Sequence, residues 1–212
     1  NWRYAAILES DPAGTYMSWL GAGLRNSVFM TLHPEMGQLW ATEMGRDGLG
    51  PDLPPDEINI MNATKHYGFP FCYGYKVEDT TFNERSSIES RNRKCEETEP
   101  AFIELEAHSA PLGLAFIDEN AVDNGWPKEW ENDLLVAYHG SEDASLRRGY
   151  KIVRFDLDDE GNPESGPLDF ITGFLAEDGE VFGRPVDLKF DGNGLLYISD
   201  DYSGSIYRVF VN

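Results

Sequence analysis

The sequence predicts an all-β fold of the β-propeller type, with about three to four blades of four antiparallel strands. Two observations carry this. One strand grammar recurs three times along the 212 residues, and no amphipathic helix of about ten residues or more interrupts it. The composition agrees: 21 Gly, 12 Pro and 13% aromatic residues suit short strands joined by frequent turns.

The first repeat places Ser27–His33 before a turn at Pro34–Gly37 and a second apolar run at Gln38–Glu43. The second places Leu112–Ile117 before a longer connection and Asp133–His139. The third places Val186–Phe190 before Asp191–Gly194 and Leu195–Asp200. Each pair reads as a β-hairpin, and each is followed by a third strand: Glu57–Met61, Tyr150–Phe155 and Ser205–Phe210. The blades therefore centre on residues 21–70, 105–160 and 180–212 of one partial propeller domain spanning 1–212, with a cysteine-flanked insertion at 71–100. Leu135 and Leu196 are 61 positions apart, whereas Leu39 and Leu135 are 96 apart, because the longer interval carries the insertion. Trp126–Asn132 has room for one helical turn. A β-sandwich is the competing architecture, but it does not require similar sequence in successive units.

The formal charge of −21 excludes a nucleic-acid partner, since nothing here would neutralise phosphates. Its ordinary meaning is solubility in a salty or extracellular setting; closely spaced carboxylates also suit a bound cation such as Ca²⁺. Cys72 and Cys95 are the only cysteines and flank a polar stretch. A disulfide there would stabilise by about 3 kcal/mol through loop closure and imply an oxidising compartment, periplasmic or extracellular; two reduced core thiols are the alternative. No run approaches the ~18 apolar residues of a membrane span. The opening Asn1-Trp-Arg-Tyr4 has no signal-peptide pattern and reads as a cropped or processed start.

In an antiparallel blade, the loop entering the first strand and the loop leaving the second lie at the same end. Arg25-Asn26, His108–Pro111 and Gly183–Pro185 thus share one face with Glu43–Arg46, His139–Ser141 and Asp200-Asp201. Propeller ligands bind where loops of several blades converge.

On these loops the sequence resembles the soluble quinoprotein glucose and sorbosone dehydrogenases. The likeness runs through Gly23-Leu-Arg-Asn26, Glu43-Met-Gly-Arg46, Asp56-Glu-Ile-Asn59 and His66-Tyr-Gly-Phe-Pro70. It continues through His108–Phe116, His139-Gly-Ser141, Gly149-Tyr-Lys151, Gly183-Arg-Pro-Val186, Ser199-Asp-Asp201 and Ile206-Tyr-Arg-Val209. It covers about Gly21 to Val209 and matches the C-terminal part of such proteins. The resemblance implies a six-bladed propeller that holds pyrroloquinoline quinone (PQQ) and Ca²⁺ and oxidises a sugar or an aldehyde. It implies PQQ contacts from Arg25, Asn26, His108, His139 and Arg184. Arg184 would also have a catalytic part, stabilising negative charge on the reduced quinone. The carbonyls of Gly45 and Arg46 would ligate calcium. Guanidinium forks suit the carboxylates of PQQ. The implied partners are the missing N-terminal blades, from the same gene or another chain, and an electron acceptor such as a cytochrome or a quinone.

Two departures stand out. The family's base is a histidine in an earlier blade, and none of His33, His66, His108 or His139 matches it. After Ser141 the family's Trp-Asn-Arg is replaced by Glu142–Arg148, where Arg147 or Arg148 stands in for the arginine. The glucose enzyme's PQQ-contacting lysine has no clear match. Two other functions therefore stay open: a non-catalytic propeller module, and a calcium-dependent lactonase-type hydrolase. The plain structural roles are an ion pair for Arg25, a blade junction for Arg184, a turn cap for His108 and an inter-blade bond for His139. His33 and His66 read as structural, Asp200 and Asp201 as backbone partners, and Asp156–Asn162 as a solvated turn.

Overall fold

The computed structural model describes residues 4–83 and 94–211. Strands β1 (Ala6–Ser10) and β2 (Met17–Ala22) form a hairpin. β3 (Met30–Leu32), β4 (Leu39–Glu43) and β5 (Asp56–Ile60) form an antiparallel meander. The short β6 (Lys65–His66) then returns to β2 in parallel. A small hairpin, β7 (Cys72–Tyr73) with β8 (Val77–Glu78), leads into α1 (Thr80–Asn83). β9 (Ile103–Leu105) closes the β3–β4–β5 sheet as its fourth strand.

The second four-stranded blade is β10 (Pro111–Phe116), β11 (Leu134–Tyr138), β12 (Lys151–Phe155) and β13 (Leu168–Ile171), with α2 (Glu119–Asp123) in its first connection. The last sheet is β14 (Pro185–Phe190), β15 (Leu196–Asp200) and β16 (Ser205–Val209). The helical turn expected near Trp126 is a 3₁₀ turn at Lys128–Trp130. The fold is all-β and propeller-like, as the repeat implied.

The blades differ from the repeat in three ways. The fourth strands, β9 and β13, lie beyond the limits of 70 and 160 drawn from the repeat. β9 has only three residues, broken by Glu104, and β13 is partly exposed, so neither makes an apolar run in the sequence. Pairing is not wholly antiparallel, since β6 runs with β2. The β1–β2 hairpin was also not anticipated; its outward face carries Met17 and Trp19, both exposed.

β11 shows why these residues make these strands. All five of its residues are buried, and side chains alternate across a strand. Leu134, Val136 and Tyr138 pack with Trp40, Ile58 and Phe116 on one side. Leu135 and Ala137 pack with Leu188, Leu196 and Ile198 on the other. A sheet buried on both faces reads as a continuous apolar run rather than an alternating one. Polar ties hold the same junctions. Trp126 Nε1 donates to the Gly194 carbonyl at 2.8 Å across the second and last sheets. Arg154 pairs with the buried Asp133 and lies 4.4 Å over the Trp130 ring. His33 sits buried at the turn after β3, its Nδ1 accepting from the Glu35 and Met36 amides.

The inner strands come closest at Gly113, where a Cβ would lie 2.6 Å from Asp187 Cα. Backbone meets backbone there, so neither side can yield by changing a rotamer. Gly113→Ala should therefore destabilise the fold by about 1–3 kcal/mol, read as a lower urea midpoint with unchanged slope. A value within error of wild type would mean that β10 and β14 can separate freely.

Candidate functional site

The loops at one end of the sheets converge on a cavity of about 230 Å³. Arg25 and Asn26 reach it from the segment before β3, Met44–Asp47 from the end of β4, and His108 and Ala110 from the segment before β10. His139–Glu142 follow β11, and Arg184 precedes β14. The structure thus brings together all seven residues expected there: Arg25, Asn26, Gly45, Arg46, His108, His139 and Arg184. Three arginines and two histidines line the cavity beside Asp47, Asp56 and Glu142, in a chain with 17 Lys and Arg against 38 Asp and Glu.

Each functional side chain is held by a neighbour. Arg25 Nη1 donates to the carbonyl of Gly45 at 3.0 Å, and its Nη2 is 3.7 Å from Asp47. Asn26 Nδ2 lies 3.3 Å from the Met44 sulfur. Arg184 Nη2 donates to the carbonyls of Gly140 (2.8 Å) and Ser141, and its guanidinium lies 5.1 Å over the Tyr150 ring. Its Nε is buried with no protein acceptor. His139 Nε2 is 2.9 Å from Asp201 Oδ1, a bond between neighbouring blades. His108 Nε2 donates to the carbonyl of Gly50 at 2.9 Å.

The segment carrying His108 is conformationally unusual. His108 and Ala110 have φ of 65° and 52°, a region that costs non-glycine residues energy and persists only where the surroundings enforce it. Ser109 between them is fully buried. The enforcing group is Asp56: its Oδ2 accepts from the Ala110 amide (2.8 Å) and Ser109 Oγ (3.1 Å), while its Oδ1 accepts from the Gly45 amide (2.8 Å). One carboxylate therefore joins the loops of two blades.

Asp56 is one of three strand-end acids that hold loop amides, of which the sequence predicts that role only for Asp200. Glu43, at the end of β4, accepts from the amides of Arg25 (2.5 Å) and Asn26 (2.9 Å) and from Ser27 Oγ (2.5 Å). Asp200, at the end of β15, accepts from the amides of Arg184 (3.0 Å), Tyr202 (3.0 Å) and Ser203 (2.9 Å). Glu43 and Asp56 stand inside motifs quoted for the family resemblance, yet a lone acid after a strand gives no sign that it will be buried. Asp200 fills the backbone-partner role expected of it; Asp201 instead pairs with His139. Arg147 and Arg148 do not reach the cavity. Arg148 pairs with Asp52 and Glu106, and Arg147 donates to the Glu177 carbonyl.

Burial pushes the Glu43 carboxyl up to about 7, against the opposing pull of its hydrogen bonds, and nearby Glu57 adds to the rise. Burial likewise lifts Asp56 to about 6. Both groups hold protons more tightly folded than unfolded. Their contribution to stability is therefore full at low pH and is lost as pH rises through about 6 and about 7. In calcium-free buffer the melting temperature should fall between pH 5 and pH 8, and Glu43→Gln should flatten that fall. A melting temperature that rises over this range would contradict the assignment.

Comparison with known proteins places this geometry. The TrAA12-like family model matches residues 10–212. An uncharacterised protein of Borreliella burgdorferi is 38% identical over 189 residues, covering 89% of this chain and 47% of that protein. A pyrroloquinoline quinone-dependent sugar dehydrogenase of Hypocrea jecorina is 26% identical, covering 96% of this chain and 51% of the relative. The chain thus spans about half the length of the curated relatives it matches. Among solved structures, the calcium structure of the Trichoderma reesei carbohydrate-active enzyme of family AA12 superposes with a TM-score of 0.66 at 24% identity, covering 90% of this chain and 53% of its own. The PQQ-bound aldose sugar dehydrogenase of Streptomyces coelicolor gives 0.59 at 16%, covering 95% and 47%. These structural likenesses establish a β-propeller fold. With nearly its whole length matched, the chain belongs to the TrAA12-like family.

Proposed function

We propose that this chain forms part of a PQQ-dependent sugar dehydrogenase of the sorbosone type and supplies much of its cofactor site. The observation that carries the reading is the convergence of Arg25, Arg46, Arg184, His108 and His139 on one cavity of a strongly acidic protein. The donor set fits a planar polycarboxylate. Arg184 has a buried Nε with no protein acceptor, and Arg25 and Asn26 present a guanidinium and an amide whose own main-chain N–H groups are already fixed by Glu43.

In this reading Arg25 and Asn26 would hold the cofactor's carboxylates. Arg184 would stabilise negative charge on the reduced quinone. His108 and His139 complete the cavity wall. The carbonyls of Gly45 and Arg46 would hold Ca²⁺. Bound PQQ would supply the hydride acceptor. The substrate is a sugar or aldehyde, the electron acceptor a cytochrome or a quinone, and the remaining blades complete the ring. The Cys72–Cys95 disulfide supports a periplasmic or extracellular location. Among the described residues no helix is long and apolar enough to cross a membrane.

A second reading, a propeller module without cofactor, is favoured by one observation. Arg25 and Arg184 already spend donors on main-chain carbonyls, Arg25 on Gly45 and Arg184 on Gly140 and Ser141. Titration of the protein with PQQ in Ca²⁺ separates the two. Binding should change the cofactor's absorbance, and Arg25→Ala and Arg184→Ala should each weaken it about 10–100-fold, the worth of a charged hydrogen bond. Absence of any spectral change with wild-type protein would favour the second reading. Sugar-dependent dye reduction on addition of the remaining blades would complete the case for the first.

A further inference from the structure

The first part of the segment closed by the disulfide, from Cys72 to Asp79, lies against the residues that line the cavity. Cys72 stands opposite Glu78 in the β7–β8 register, and Asp79 follows directly. Asp79 is buried and its amide donates to the Phe71 carbonyl at 2.8 Å. Its carboxylate receives Arg46 in a two-point grip, Nε to Oδ2 at 2.5 Å and Nη2 to Oδ1 at 2.8 Å. Arg46 Nη2 also donates to Thr81 Oγ1, and Nη1 donates to the Asp47 carbonyl at 2.9 Å. The same carboxylate accepts from the Phe82 amide at 2.8 Å, which fixes α1 beneath it. Four of the five guanidinium N–H groups are thus committed.

We propose that Asp79 is a positioning residue for Arg46, and that the Cys72–Cys95 disulfide sets the position of Asp79, so the oxidation state of the segment is transmitted to the cavity. The proposal rests on the cavity being the cofactor site described above. The route is short: the disulfide holds β7, β7 pairs with β8, and Asp79 leaves β8 to grip a cavity residue. Arg46 brings both its side chain and its carbonyl to the site, so loosening its guanidinium frees the Gly45-Arg46 turn as well. A two-point guanidinium–carboxylate contact fixes direction as well as distance, which a lysine or a single bond would not do. With its charge matched by Asp79, Arg46 shapes the cavity and leaves net attraction for an anion to Arg25 and Arg184.

The test follows the Arg46 Nε–H signal in ¹⁵N-labelled full chain by hydrogen exchange, with and without a phosphine reductant. Reduction should speed this exchange about tenfold or more, and Asp79→Asn should do the same in oxidised protein. Reduction should add nothing further in the Asp79→Asn background. That dependence separates positioning from a general structural role, whose effects would add. Cys72→Ser/Cys95→Ser gives the reduced state without reductant. Arg46 exchange indifferent to reduction and to Asp79→Asn would overturn the proposal. So would equal acceleration of Arg46 and the β11 amides, which would mean global loosening. PQQ titration of wild type in Ca²⁺ runs alongside: failure to bind sinks the cofactor reading, whereas Arg46 exchange alone decides the coupling.

Discussion

Taking a carboxylate out of water costs several kcal/mol unless hydrogen bonds replace the lost hydration. Glu43 and Asp56 recover part of that cost with main-chain amides and hydroxyls from the loops that form the cavity, and the part left over is what raises their carboxyls. The requirement works in both directions. The acids need these donors, and loop amides turned inward need acceptors. The shape of the cavity follows from this mutual demand, because it decides which way Arg25, Asn26, Gly45 and Ala110 face. Asp200 repeats the arrangement before β14, so four loops of the site are set by three acids acting in the same way.

The sheets make this possible by fixing where the acids stand. β4, β5 and β15 are held in register by pairing and by apolar contacts across blade junctions. Their ends are therefore rigid platforms. The strained φ values at His108 and Ala110 are tolerated because Asp56 grips the segment from a neighbouring blade. Packing within the sheets thus becomes geometry at their ends, and that geometry brings Arg25, Arg46 and Arg184 to one cavity.

Most of the fold was legible because inner strands are buried on both faces. Runs such as Leu134–Tyr138 and Leu196–Asp200 stand out by apolar content and recur. β9 and β13 did not, since β9 is broken by Glu104 and β13 is partly exposed, and β1–β2 fell outside the repeat. The disulfide appeared as expected from the polarity of the loop it closes. The cavity residues were legible because antiparallel pairing dictates which loops share an end. The supporting carboxylates were not. Burial of Glu43 or Asp56 depends on loops distant in sequence folding over it, and residue type carries no trace of that. Arg148 shows the converse: sequence spacing brought it near the site motif, while its partners lie elsewhere, at Asp52 and Glu106.

The arginine-bearing cavity sits inside a chain whose formal charge is −21. At low salt, where the Debye length reaches about 30 Å, an approaching anion meets the repulsion of the whole molecule. Within the mouth of the cavity Arg25 and Arg184 act on it directly. Capture of an anionic ligand is therefore opposed at long range and favoured at short range. Added salt shortens the first effect more than the second, so moderate ionic strength should quicken the arrival of an anion at this site, the reverse of the usual behaviour of a steered encounter. The acidic surface becomes a filter that passes anions best in salty water.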